Sequence, residues 1–323
     1  MRLSLVIPIC NERENLRPLY ESLVSVLWRL GQSYEIIFVN DGSTDGSTEA
    51  LEELAFQDRA VKLVHFRRNF GQTAALAAGI ELACGDVIVT IDGDLQNDPA
   101  DIPLLLRTLD EGYDLVQGWR KNRRDSFLHR RLPSKIANWL IAKVTGFVAH
   151  DLGCTLKAMR RELAQGLQLY GEMHRFIPIL AHWQGARSTE VVTRHHPRKF
   201  GQTKYGIGRT TRVLLDLVAI RFLNGPVTGA VKSLGGFGVL VLALSLLYGV
   251  LAGGVAWFRG EALGGVHWLV CGLSGFAGLQ CVLLGLLGEF SARLDDARQD
   301  KRPDRVRRTV NFGADAAHRV RAA

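Results

Sequence analysis

Residues 233–258 and 262–288 each run without one charged side chain. Nothing else in the chain restricts its fold as much. A hydrocarbon core about 30 Å thick is crossed by about 20 apolar residues in a helix, and both runs exceed that length. In lipid every backbone amide must be paired within its own segment, so an uninterrupted apolar run takes the helical form. Only Arg259, Gly260 and Glu261 separate the two runs. They read as a membrane hairpin with helices at about 233–258 and 264–288. A pair of buried helices in a soluble core is the rival, and tandem uncharged runs of this length fit it poorly. Trp257, Phe258 and Trp268 gather at the hairpin end, as aromatic side chains do at a membrane interface. Lys232 precedes the first run, and seven Lys and Arg residues between positions 293 and 308 follow the second. The positive-inside rule then puts both flanks and both termini on the cytoplasmic side of the inner membrane, in a multi-pass arrangement. Gly235, Gly236, Gly238, Gly272, Gly275 and Gly278 offer small-residue faces for helix packing, within one chain or in a homo-oligomer.

Ahead of the hairpin the pattern alternates. Strand-like apolar runs at 3–9, 34–39, 61–66, 86–91 and 114–117 are separated by helix-like stretches at 15–30, 47–56, 73–83 and 99–111. Asn15 is placed to cap the first helix, with Pro18 in its first turn. The Asp- and Ser-rich turn at 40–47 caps the second. Strands that are apolar throughout and alternate with helices imply an α/β fold, a mostly parallel sheet between helices. The chain therefore divides into a cytoplasmic α/β domain with juxtamembrane helices (1–224), the transmembrane hairpin (225–290) and a basic cytoplasmic tail (291–323). Met1-Arg2-Leu3-Ser4 runs straight into a strand without an apolar leader region, so no secretory signal is expected. A dinucleotide-binding sheet would carry GxGxxG after its first strand. Here that turn is Pro8-Ile9-Cys10-Asn11-Glu12, without glycine.

A net charge of +8 favours anionic partners such as nucleotides, phosphates or an anionic membrane face. No zinc-finger spacing, RNP-like aromatic motif or helix-turn-helix pattern points to nucleic acid. The five cysteines are scattered and include no CxxC, which argues for reduced thiols and against a disulfide framework or structural zinc. The chemistry centres on Asp92-Gly93-Asp94, directly after the strand-like run at 87–91. Two carboxylates at the carboxyl edge of a parallel sheet occupy the edge where such sheets bind ligands. They repel one another unless a divalent cation sits between them. Hard oxygen ligands suit Mg²⁺ or Mn²⁺, which commonly bind one or two carboxylates together with substrate phosphates. A dense basic stretch spans 120–135, and a Gly- and Lys/Arg-rich segment at 195–206 has the composition of a loop that handles phosphate.

Several motifs fall in order along the chain. They are Val6-Ile7-Pro8 with Asn11-Glu12, Val39-Asn40-Asp41-Gly42-Ser43-Thr44-Asp45, Arg68-Asn69-Phe70-Gly71, Asp92-Gly93-Asp94-Leu95-Gln96, Arg131-Leu132-Pro133-Ser134, and 198–205, Arg-Lys-Phe-Gly-Gln-Thr-Lys-Tyr. Together they resemble the family 2 glycosyltransferases of the GT-A fold over about residues 3–224. More narrowly they resemble the polyprenyl-phosphate sugar synthases, the dolichyl- or undecaprenyl-phosphate glycosyltransferases, whose anchored members carry a two-helix tail. The resemblance implies a nucleotide-sugar site in which Pro8, Asn11, Glu12 and Asp41 hold base and ribose. It implies that Asp92, Asp94 and Gln96 hold the metal, Mg²⁺ or Mn²⁺, with Asp92 also at the diphosphate. Arg120, Arg131 and Ser134 receive the acceptor phosphate. Arg198 and Lys204 close over the phosphates and complete a catalytic set with Asp92, Asp94 and Arg131. Cys10 stands where family members commonly carry an aromatic residue, and Gln202-Thr203-Lys204 where Gly-Ser-Lys is common.

Transfer from a nucleotide-diphosphate sugar leaves a diphosphate whose growing charge a divalent cation neutralises. A sugar hydroxyl acceptor needs a positioned base. A phosphate monoester, with a second pKa of about 6, is largely dianionic at neutral pH and needs cations and positioning. Asp151 and Glu172 are the base candidates for a hydroxyl acceptor, and otherwise read as cap or surface carboxylates. The 120–135 stretch suits an acceptor phosphate or an anionic lipid surface, at about 1 kcal/mol per Lys or Arg. Adjacent His195 and His196 point to opposite faces of a strand, which argues against a shared metal. His174-Arg175 reads as part of the site wall. Inversion at the anomeric carbon is implied by the family. A UDP-hexose such as UDP-glucose is the favoured donor, with UDP-4-amino-4-deoxy-arabinose and GDP-mannose open. The alternatives are a processive polysaccharide synthase, whose Gln-x-x-Arg-Trp motif and extra membrane helices are not found, and a non-catalytic membrane scaffold, which would not need the metal-site residues.

Overall fold

A computed structural model describes residues 2–121, 147, 149–167, 169, 171, 173–197, 234–260, 262, 264–299 and 305–313. Arg131, Ser134, Glu172, Arg198 and Lys204 lie outside the described residues, as do the expected juxtamembrane helices. The chain forms two compact units, Met1–Asp216 with Pro303–Ala323, and Leu217–Arg302.

The first unit is built on an eight-stranded sheet. Its strands are β1 (Leu3–Ile9), β2 (Tyr34–Asn40), β3 (Val61–Phe66), β4 (Val87–Thr90), β5 (Leu115–Trp119), β6 (Lys157–Arg160), β7 (Ser188–Val192) and β8 (Val306–Val310), in the order β7-β5-β6-β4-β1-β2-β3-β8. β1 pairs in parallel with β2 and β4, β2 with β3, and β5 with β7. β6 runs antiparallel between β4 and β5, and β8 antiparallel beside β3. The helices are α1 (Arg13–Leu30), α2 (Ser47–Gln57), α3 (Gln72–Leu82), α4 (Ile102–Asp110), α5 (Arg161–Gly166) and α6 (Ile177–Trp183). β1 to β4 are buried almost throughout, as strands covered on both faces must be. On α1, Leu16, Leu19, Leu23 and Leu27 recur at the helical period and all are buried in the core.

Several local expectations are corrected. α1 begins at Arg13, and Asn15 does not cap it. Asn15 is buried inside the helix and donates through Nδ2 to Glu12 Oε2 at 2.6 Å. Pro18 lies beyond the first turn, where it removes one helical N–H. The cap expected from the 40–47 turn is present at α2: Gly46 is the N-cap residue, and the neighbouring Asp45 accepts from the Ser47 amide at 3.0 Å. The stretch read as a basic tail supplies β8, so chain from both sides of the hairpin builds one sheet.

The second unit contains α7 (Gly236–Arg259) and α8 (Gly265–Gln299). The segments Gly236–Arg259 and Gly265–Gly288 are long and apolar enough to cross a membrane. Gly238 and Gly278 make the packing contact. A Cβ on Gly278 would lie 2.8 Å from Leu242 Cγ and 2.9 Å from the Gly238 carbonyl. Gly236 and Gly272 face open space instead. Ser274 Oγ donates to Ser245 Oγ at 2.9 Å, and Ser245 Oγ to the Cys271 carbonyl at 3.1 Å. Tyr248 OH and His267 Nδ1 meet at 2.8 Å. Leu, Val and Phe side chains cover the outer surface. Gly278→Leu should force the two helices apart, since no rotamer removes the clash with backbone. The expected result is a hairpin that melts at least several degrees lower in detergent, read by far-UV circular dichroism; an unchanged melt would remove this contact from the stabilising set.

Candidate active site

β1, β2, β3 and β4 point the same way, so the loops after them meet at one sheet edge. Two of these loops are stitched together. Asn11 adopts a left-handed φ of 53°. Its amide donates to Ser43 Oγ at 3.0 Å, and its Oδ1 accepts from the Thr44 amide at 2.8 Å. The Glu12 amide donates to Ser47 Oγ at 3.1 Å, and the Arg13 amide to Asp45 Oδ2 at 3.0 Å. Pro8, half-buried, sits opposite Val39 just before this junction. Cys10 Sγ accepts from Asn69 Nδ2 at 3.1 Å, linking the first loop to the third.

Asp41 is buried, and its two oxygens accept from the Phe70 amide at 2.6 Å and the Gly71 amide at 2.9 Å. Burial pushes its carboxyl pKa up, against the pull of those two amides. The sequence marks Asp41 for the nucleotide site, and the structure shows it also holding the neighbouring loop through these two amides. Gly42 is required there. Its φ is 66°, and a Cβ would stand 2.5 Å from the backbone of Arg68 and Asn69.

The Asp92-Gly93-Asp94 turn follows β4. Asp92 Oδ1 accepts from Gln72 Nε2 at 2.7 Å, and the Thr155 hydroxyl also hydrogen-bonds this carboxylate. Thr155 is itself fixed, since its carbonyl accepts from Thr90 Oγ1 at 2.7 Å and its Oγ1 from Asn97 Nδ2 at 3.0 Å. Asp94 is buried and accepts from the Gln96 amide at 3.2 Å. Gln96 is anchored by its backbone, its carbonyl taking the His196 amide at 2.9 Å. Burial, and then the charge of Asp94, push the Asp92 carboxyl up to about 6; Thr155, Arg120 and Lys157 pull the other way. Two carboxylates that resist ionising together fit a divalent cation. Among the described residues no group of three His, Cys, Asp or Glu surrounds this point. Mg²⁺ commonly binds one or two carboxylates and completes its shell with water and substrate phosphate.

Arg120, at the end of β5, is nearly buried and points into a bidentate pair with Asp151. Its Nε donates to Oδ2 at 2.7 Å and its Nη2 to Oδ1 at 2.9 Å. Asp151 is thus committed to Arg120 as an ion-pair partner. Glu190 on β7 fixes the turn that presents it. The Glu190 carboxylate accepts from the His150 amide at 2.9 Å, the Asp151 amide at 3.2 Å and Gln117 Nε2 at 2.6 Å. The His150 ring stacks on Trp119 with centroids 4.2 Å apart. Lys157, on β6 opposite Thr90, is buried with its ammonium donating to the Cys154 carbonyl. Burial lowers its pKa, while Cys154, Asp151 and Asp92 favour its charge. Lys157 opens the strand Lys-Ala-Met-Arg, whose two charged ends hide it from a search for apolar runs. Nothing local announced Gln72, Thr155 or Glu190.

His174 is buried with Nδ1 2.7 Å from Thr73 Oγ1, and burial lowers its pKa to about 3, so the ring is neutral. It packs beside α3, which carries Thr73. His196 Nε2 pairs with Asp98 at 3.2 Å while His195 bridges to Asn97. The two histidines take separate partners.

The model of the glycosyl transferase family 2 matches residues 4–167. A dodecaprenyl-phosphate galacturonate synthase of Rhizobium johnstonii is 38% identical over 315 residues, covering 96% of this chain and 93% of the relative. An undecaprenyl-phosphate 4-deoxy-4-formamido-L-arabinose transferase of Proteus mirabilis is 39% identical over 302 residues, covering 91% and 89%. Among solved structures, the glucosyl-3-phosphoglycerate synthase of Mycobacterium tuberculosis, in complex with Mn²⁺, UDP and phosphoglyceric acid, aligns with a TM-score of 0.52. It is 22% identical and covers 68% of this chain and 78% of its own, which shows the GT-A fold. The family model spans the strands that deliver Asp41, Asp92 and Asp94, and curated relatives align nearly from end to end: the chain belongs to glycosyl transferase family 2.

Proposed function

We propose that the protein transfers a sugar from a nucleotide-diphosphate sugar to the phosphate of a polyprenyl phosphate, with inversion, at the cytoplasmic face of the inner membrane. The supporting observation is an acidic pair, Asp92 and Asp94, beside a guanidinium, Arg120, that is already held in place, in a chain carrying a hairpin of two apolar helices. The names of the two relatives, both transferases to a polyprenyl phosphate, agree. Both flanks of the hairpin contribute strands to one sheet, so in a bilayer both lie on one side. That is the arrangement the flanking positive charge favours.

In this scheme an oxygen of the acceptor phosphate forms the new bond to the anomeric carbon. The bond from that carbon to the diphosphate breaks on the opposite face and its electron pair leaves with the nucleotide. Asp94 and Asp92 would hold a Mg²⁺ or Mn²⁺ ion, which when bound supplies neutralisation of the leaving charge. Gln72 and Thr155 orient Asp92. Arg120 spends two N–H groups on Asp151 and offers the remainder to a phosphate. The acceptor arrives ionised, so no side chain need take a proton. Arg131, Ser134, Arg198 and Lys204 are proposed as further cationic and hydroxyl partners, Gln96 as a metal partner, and Pro8, Asn11, Glu12 and Asp41 as the frame of the base and ribose.

UDP sugars head the donor panel. UDP-glucose is the hexose expected from the sequence, and the relatives add galacturonate and 4-deoxy-4-formamido-L-arabinose. Purified protein with radiolabelled donor, undecaprenyl phosphate and Mn²⁺ should yield a lipid-extractable product. An insoluble polymer would indicate a processive synthase, and no product from any donor a scaffold.

The metal assignment also has a pH signature. A carboxyl raised in the folded protein stabilises the fold fully below its ordinary value of 3.8, and this contribution disappears as pH climbs through about 6. A cation restores what the ionised pair loses. The Tm gain on adding Mn²⁺ should therefore be larger at pH 7 than at pH 5 by differential scanning fluorimetry. Equal gains would contradict a cation at Asp92.

A further inference from the structure

The chain leaves the first unit for the hairpin and re-enters it as β8. We propose that this return is part of the nucleotide site: Arg305, at the head of β8, is a positioning residue that fixes the loop from Arg67 to Gly71 and so sets affinity for the nucleotide diphosphate. The proposal rests on the nucleotide-sugar assignment above.

The pairing of β8 with β3 runs from Leu63 opposite Val310 to Phe66 opposite Val306. It continues one step further, with the Arg67 amide donating to the Arg305 carbonyl at 3.0 Å. That bond pins the first residue of the loop. The Arg305 guanidinium then lies 5.8 Å from the centre of the Phe70 ring, which also carries Arg68 at 4.9 Å and the Phe66 ring edge-on at 5.7 Å. Both cations are within the range of attraction to an aromatic face.

What Phe70 controls gives this contact its meaning. The Phe70 and Gly71 amides are the two donors to Asp41. The preceding Asn69 reaches Cys10 at the end of β1, and the following Gln72 reaches Asp92. The loop touches the base side of the site, the first residue of α3 that follows it touches the metal side, and Arg305 supports the Phe70 ring between them. The Nε of Arg305 is buried without a hydrogen-bond partner, and Arg305 makes no ion pair among the described residues. Its orientation comes from the ring, and its charge adds to the positive field at the edge where a diphosphate would lie.

The rest of β8 is anchored independently. Asn311 Nδ2 donates to the carbonyls of Ala55 at 2.7 Å and Val61 at 2.8 Å, and Arg308 pairs with Glu52. Removing the Arg305 side chain should therefore leave the strand in place.

The test uses the full-length protein in detergent micelles. Arg305→Ala should weaken UDP binding in the presence of Mn²⁺ about tenfold by calorimetry, and Arg305→Lys should recover most of it. Phe70→Leu should lose about as much, and the double variant no more than either single. The donor KM should rise, with kcat changed less than about twofold. Independently of any nucleotide, hydrogen exchange at the Phe70 and Gly71 amides should quicken in Arg305→Ala, while exchange at Val306–Val310 stays as in the parent. Unchanged exchange at Phe70 and Gly71 overturns the proposal. Quicker exchange with unchanged UDP affinity overturns its nucleotide part. A parent protein that binds neither UDP nor GDP overturns the nucleotide-site assignment instead, and the exchange result still decides the role of Arg305 in the loop.

Discussion

Asp94→Asn should yield a folded, membrane-inserted protein that transfers sugar about a thousandfold more slowly than the parent. Asn keeps the shape and keeps an oxygen to accept the Gln96 amide. What disappears is one of the two negative charges at the turn. A cation there loses half its anionic protein ligation, and stabilisation of the leaving diphosphate falls with it. A loss of about 4 kcal/mol in the transition state corresponds to about 10³ in rate. The same substitution also removes the repulsion that raises the Asp92 carboxyl. The metal-free variant should therefore melt no lower than the metal-free parent at pH 7, while the Tm gain from Mn²⁺ shrinks. This pairing of lost turnover with preserved stability separates a missing ligand from a damaged fold. Near-normal turnover would remove Asp94 from the site.

Asp151→Ala should be the most destabilising single change near the site. It leaves the Arg120 guanidinium nearly buried and unpaired, with 11% of its side chain exposed. Breaking a buried pair from one side costs about 3–5 kcal/mol, and the residual exposure of both partners places this case toward the lower end. Removing both charges, as Arg120→Met with Asp151→Leu, should restore most of the melting temperature, because no orphaned charge remains. Acceptor recognition should not return with it. The KM for polyprenyl phosphate should rise at least about tenfold in the single variant and stay raised in the double. Recovery of both stability and acceptor KM in the double variant would reduce Arg120 to a structural residue.

The sequence carries some of this in plain form. Two uncharged runs of membrane length give the hairpin because the bilayer leaves so few forms for them. Apolar strands give β1 to β5 because burial on both faces removes polar positions. The acidic turn stands out because it ends an apolar strand and falls in order among the other motifs; alone it would read as a solvated turn. The rest fails for a shared reason. β6, β7 and β8 are short and carry charge or half-exposed polar positions, so neither period nor apolarity marks them. Lys157 sits inside β6 only because the Cys154 carbonyl satisfies it there. The Arg120–Asp151–Glu190 arrangement joins residues 31 and 39 positions apart, far beyond the range of local spacing. Asp41 shows the limit of a motif. Its letters mark a site, but the staple it makes to the Phe70 and Gly71 amides, 29 and 30 positions away, is visible only in the fold.

That one sheet draws strands from both sides of the hairpin also fixes an order of events during synthesis. β3 emerges from the ribosome with its outer edge bare, and the strand that covers it lies about 240 residues later. At about 5–20 residues per second, that interval is about 12 to 48 seconds. Throughout it, β3 is an open edge of the kind that templates pairing with other chains. Closure requires that both apolar helices have already been made. Completion of the catalytic fold is therefore a late event, gated by passage through the hairpin, and a nascent chain stalled before residue 303 should present a sticky edge to quality control.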